Sequence, residues 1–169
     1  MTSPTFPGTP GLEFFQFMHA GVPESQGSKT LVFKDRYGRR LRKPRMIDVN
    51  QSKLRDWRKA VAASARRAGG EVFSGDLVMI LEFHFDRPDS HWLGMGRLSK
   101  SKAAMARPRR KDVDKLARAV MDALTGVLYP DDRDVAMLAI ERKWSDGALG
   151  DHLVVRLYPA PTYGEWKFE

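Results

Sequence analysis

Four aspartates set among cations are the residues of this chain best suited to chemistry. Arg109-Arg110-Lys111-Asp112-Val113-Asp114-Lys115-Leu116-Ala117-Arg118 runs cations straight into a carboxylate pair, and Tyr129-Pro130-Asp131-Asp132 follows with a second pair. Carboxylates at that density offer the hard oxygen ligands a divalent cation takes, and neighbouring cations can hold a polyanion beside it. Phosphodiester hydrolysis needs an activated water, a stabilised pentacovalent phosphorus and a neutralised leaving oxygen, and magnesium can supply all three. Each residue also has a plainer reading. Asp112 suits a helix N-cap, and Asp131 and Asp132 suit a Pro-Asp turn. Arg118 suits an i, i+4 ion pair with Asp114 or Asp122, worth about 0.3–0.5 kcal/mol on an exposed face. The combination with flanking cations is what favours chemistry. His84 and His91 are set aside as ligands, because a lone strand histidine is more often a satisfied core or surface residue.

The first carboxylate pair must be carried by a helix over residues 112–125. At about 100° per residue, Val113, Leu116, Val120, Ala123 and Leu124 fall on one side, while Asp114, Arg118 and Asp122 line the other. Gly126 and Pro130 stop it, and Asp131-Asp132 occupies the following turn. Whether the two carboxylate pairs converge depends on how strands flank this helix. A second helix is expected over 52–68, with Leu54, Trp57, Val61 and Ala65 on one stripe and Gly69-Gly70 as its stop. Strands are expected at 12–18, 76–85, 135–144 and 153–158, the last two paired through a turn at Asp146-Gly147. The 22–50 stretch reads as a mobile excursion or irregular hairpin with a short strand at Val32-Phe33. Residues 86–111 show no periodicity, and loops of that length in a compact domain are usually functional or disordered. The pattern predicts an α+β fold: a small mixed sheet with two main helices, in one domain over 12–158, with a flexible lead at 1–11 and a tail at 159–169.

Charge is concentrated. The chain of 169 residues carries a net +8, yet residues 34–45 alone hold seven cations and one acid and residues 97–111 hold seven cations and no acid. The remainder is therefore net negative, and the two basic loops read as a footprint for nucleic acid or as plain solvated loops. Tyr37 and Trp92 sit beside them without a repeated stacking pattern. Zero cysteines exclude disulfides, thiolate nucleophiles and cysteine-ligated metals. No apolar run approaches the roughly 20 residues of a membrane span, and no secretory signal opens the chain, so a soluble, intracellular protein is expected.

Lys111-Asp112-Val113-Asp114-Lys115-Leu116, Arg118, Asp122-Ala123-Leu124 and Tyr129-Pro130-Asp131-Asp132 with Val135 closely resemble the RusA family of Holliday-junction resolvases. Order, spacing and flanking apolar positions agree over some 25 residues. Gly21-Val22-Pro23, Gln26-Gly27-Ser28-Lys29 and Leu54-Arg55-Asp56-Trp57-Arg58 look more loosely like the amino-terminal half of phage-type members. The resemblance implies an intertwined homodimer in the cytoplasm of a bacterial host cell that uses Mg2+, with Mn2+ as a substitute, to nick four-way DNA junctions symmetrically. Carried over by position, Asp112, Asp114 and Asp132 would be metal ligands, with Asp131 as neighbour or alternative. Arg118 stands where the best-known members have lysine, which keeps phosphate contact but weakens a role in proton transfer. Arg107, Arg109, Arg110, Lys111 and Lys115, with Arg39, Arg40, Arg42 and Lys43, would bind DNA. Two other readings compete: a branched-DNA-binding dimer without catalysis, and a broader flap or branched-DNA nuclease in phage DNA processing.

Overall fold

The computed structural model describes residues 14–160, apart from positions 28, 36, 49–50 and 94–96 and the side chains at 29, 47 and 48. The expected lead over 1–11, the start of the first strand at 12–13 and most of the tail lie outside the described residues. Strand β1 (Phe15–Ala20) is followed by a hairpin of β2 (Lys29–Lys34) and β3 (Arg40–Asp48), helix α1 (Gln51–Arg67) and strand β4 (Leu77–Phe85). The chain continues through the two-residue strands β5 (Trp92–Leu93) and β6 (Arg97–Leu98) and the single-turn helix α2 (Lys100–Ala103). Helix α3 (Val113–Leu124) and strands β7 (Val135–Trp144) and β8 (His152–Pro159) complete it. The architecture is α+β, as the pattern predicts.

The main sheet is mixed, in the order β1-β8-β4-β7. β8 runs antiparallel to both β1 and β4, whereas β4 and β7 are parallel. This corrects the expected β7–β8 hairpin. The turn after Trp144 instead carries the chain across β4, which gives that strand's backbone groups hydrogen-bonding neighbours on both edges. Its Leu77, Met79, Leu81, Phe83 and Phe85 are at most 1% exposed. They meet Leu54, Trp57, Val61 and Ala65 of α1 and Leu116, Val120 and Leu124 of α3 in one core. Both helices pack on that face and on each other.

The α1 stripe is buried as its period requires. On α3 the buried strip also takes in Ala117 and Ala119, while Val113 at its first turn is only half-buried. Gly126, at φ 72°, ends that helix in the left-handed region glycine favours. Two stretches hold more structure than their composition suggests. β3 is nine residues long and pairs Leu31 with Met46 and Val32 with Arg45. Within 86–111, a 3-10 turn at Asp89–His91, the β5–β6 ladder and α2 are each too short for a periodic signal to register. No helix among the described residues is long and apolar enough to cross a membrane.

Candidate active site

Helix α3 presents its chemistry at its amino end. Lys111 has φ 55°, the one described non-glycine residue in the left-handed region, and this kink turns the chain into the helix. Such a conformation costs of order 1–3 kcal/mol and persists only where its surroundings hold it. They do: its ammonium bonds the Pro23 carbonyl and the Glu24 carboxylate (2.8 Å), and its carbonyl accepts from Arg142 Nη1 at 2.8 Å. Arg142 also donates to the Arg110 carbonyl at 3.3 Å. It lies on β7 opposite Phe83, on the helix-facing side of the sheet, where a charged residue is unusual. Sequence reading missed it, although the inward alternation Leu138, Ile140, Arg142, Trp144 was the available signal.

Asp112 occupies the N-cap position by its backbone, and its carbonyl accepts the first helical bond from Leu116 at 3.0 Å. Its side chain does not cap. It pairs instead with Lys115 Nζ at 2.7 Å, and this hydrogen-bonded ammonium, with help from Arg142, holds its carboxyl below the ordinary range. Asp114, in the first turn, is exposed and has no hydrogen bond or ion pair among the described residues. Arg118 follows one turn later, exposed and likewise without an ion pair among the described residues. The next polar position, Asp122, is bridged by Arg58 of α1 and by Gln26 Nε2 at 3.1 Å. Asp114 and Arg118 are therefore the free pair on this face.

The second carboxylate pair lies at the other end of the helix. Asp131 caps the 3-10 turn Asp132–Asp134, accepts from the Arg133 backbone at 3.0 Å and takes a two-pronged grip from its guanidinium at 3.0 and 2.9 Å. Arg133 holds its carboxyl well below the usual range. Asp132 is exposed and forms no ion pair among the described residues. β7 leads from this turn back to Arg142, so its residues 135–142 separate Asp132 from Asp112 by roughly 20 Å at ~3.3 Å per residue. Among the described residues no three His, Asp or Glu side chains gather closely enough to hold a metal. Asp112 and Asp114 by themselves fit magnesium, which is commonly bound through one or two carboxylates with waters and substrate phosphate completing the shell.

The cations flank this end. Arg107, Arg109 and Arg110 are exposed on the approach to α3, whereas the ammonium groups of Lys111 and Lys115 are engaged with Glu24 and Asp112. Arg39, Arg40, Arg42 and Lys43 are all exposed on the β2–β3 hairpin. Asp35 shapes its tip by accepting from the backbone of Tyr37 and Arg39 at 2.9 and 2.8 Å.

None of the curated proteins compared with the chain matches it. The family model described as endodeoxyribonuclease RusA matches residues 34–157, a span that contains β3, both main helices and Asp112, Asp114, Asp122, Asp131 and Asp132. With that coverage, and with the carboxylate-bearing helix in place, the chain belongs to the RusA endodeoxyribonuclease family.

Proposed function

We propose that this endodeoxyribonuclease resolves four-way DNA junctions by paired nicks, using magnesium and acting as a homodimer. The observation that carries the reading is the exposed Asp114, unpaired among the described residues, with Arg118 one turn away, beside Asp112 and a basic approach. Asp112 and Asp114 would hold the metal, and a bound magnesium supplies Lewis-acid charge and a nucleophilic water. The protein's own residues do the rest. Lys115 keeps Asp112 ionised and in place, Arg142 fixes the backbone that presents it, and the Arg118 fork binds non-bridging phosphate oxygens. A two-fold assembly matches a two-fold junction and brings a cutting centre to each of two opposed strands. Asp132, remote from Asp112 in its own chain, would join such a centre only from a second copy.

The test is cleavage of a synthetic four-way junction with magnesium. Asp114→Asn is expected to lower nicking on the order of 100-fold or more with unchanged melting temperature, because the side chain supports nothing structural. Parent-like cleavage by that variant sinks the assignment. Mixing Asp114→Asn with Asp132→Asn subunits is expected to restore part of the activity if the centre is shared between copies. A binding-only reading draws on the Asp112–Lys115 pair, which occupies one carboxylate with a cation. It predicts salt-sensitive junction binding without nicks at any metal concentration. Flap and fork substrates run at the same salt separate a broader branched-DNA nuclease from a junction resolvase.

A further inference from the structure

A cavity of about 530 Å³ opens beside the first half of α1. Gln51, Ser52, Arg55, Arg58 and Lys59 of α1 line it, Gln26 closes the side toward α3, and Leu54 forms part of its wall. Three cations and no carboxylate thus face one concavity. Arg55 has only a loose contact with Asp56, at 3.7 Å and largely in solvent. Arg58 gives one nitrogen to Asp122, and its Nε, out of reach of solvent, has no hydrogen-bond partner among the described residues. Guanidinium forks, an ammonium, amides and a hydroxyl together form a donor set for a phosphate.

We propose that this cavity is a subsite for a backbone phosphate of DNA, separate from the carboxylates that face the scissile bond. The proposal rests on the nuclease reading of α3. Asp122, which Arg58 and Gln26 hold at the cavity's edge, lies eight residues along α3 from Asp114. That is ~12 Å of helix, which equals the axial rise of three or four phosphates along one strand. Arg118 lies midway. A strand cut at Asp114 therefore places a phosphate three or four nucleotides away in the cavity.

The experiment measures binding of a four-way junction by the full chain, without divalent metal, between about 50 and 200 mM salt. Arg55→Gln/Lys59→Gln removes two exposed cations from the cavity, and Arg66→Gln, exposed in the last turn of the same helix, serves as a charge control. The double variant is expected to bind roughly tenfold more weakly at the higher salt, with a log–log salt slope lower by about one, and Arg66→Gln to behave as the parent. A neutral methylphosphonate three or four linkages from the cut is expected to weaken the parent and leave the double variant unaffected. A double variant with the parent's slope overturns the subsite while leaving the nuclease reading intact. A lowered slope in a protein that never nicks junctions with magnesium upholds the subsite and overturns the nuclease reading. Absence of any DNA binding by the parent overturns both.

Discussion

Lys111 shows how much of a site is set by backbone that no motif spells out. Its left-handed conformation is held by Glu24 and Pro23 on one side, more than 80 positions away in sequence, and by Arg142 on the other, more than 30 positions away. Lys111→Gly removes the tether and the strain together and is expected to stay within about 1 kcal/mol of the parent. Lys111→Val keeps the strain with a branched side chain and is expected to lose about 1–3 kcal/mol, read from urea midpoints. Glu82 offers a second test. Burial pushes its carboxyl up, but hydrogen bonds from Arg156 (2.7 Å) and Lys143 more than offset this and bring it from 4.5 to about 2. A carboxyl depressed in the folded state stabilises fully above its unfolded value and loses that contribution as pH falls from about 4.5 to 2. Glu82→Gln is expected to cost on the order of 2 kcal/mol at neutral pH, and the gap from the parent should close over that window in acid denaturation. At this scale the sequence was informative where neighbours on one helix decide the outcome. Asp114 and Arg118 do share the exposed face, as a 3.6-residue period requires. Asp122 departs from that simple stripe because its partner, Arg58, arrives from another helix.

Elements were legible to the extent that their signal was local. α1 and α3 begin and end within a residue of expectation, since each carries a full apolar stripe and a glycine stop. The pairing of β7 and β8 was not legible: both sequences suit an antiparallel hairpin, and what separates them is β4, a strand distant in sequence, inserted between the two. The distance between Asp112 and Asp132 follows from that same topology and was equally hidden. Gly70 marks where the elements press closest. A Cβ there would run into the fully buried Leu128 side chain, the Phe15 ring at 2.9 Å and the Ala65 carbonyl at 3.1 Å. Gly70→Ala is therefore expected to destabilise by about 1–3 kcal/mol through overpacking, with a matching fall in melting temperature. A parent-like melting point would show that the α1–β1 corner is looser than its contacts imply.

At the scale of the molecule, the charge map divides labour between a packed body and a projecting hairpin. β2 and β3 pack chiefly on each other, and the hairpin exposes Leu31, Phe33 and Met46 together with its row of cations. Arg39→Gln/Arg40→Gln is expected to leave the melting temperature within experimental error while lowering the salt slope of DNA binding by about one to two. Any large loss of stability would mean that the hairpin braces the body. The histidines add a global pH dependence: burial lowers His19 and His84, with Arg67 adding to the effect on His19. An unfolded chain takes up those protons first, so stability is expected to fall as pH drops below about 6.5. The sheet order carries a last consequence, for synthesis on the ribosome. β8 lies between β1 and β4, so β1 waits for a strand made some 130 residues later before it has a neighbour in the sheet. A nascent chain short of His152 already carries every aspartate proposed to act in catalysis but exposes bare strand edges, the condition most prone to aggregation and proteolysis. Completion of β8 thus acts as a checkpoint: the chain gains a framework able to aim its carboxylates only when translation has passed beyond them.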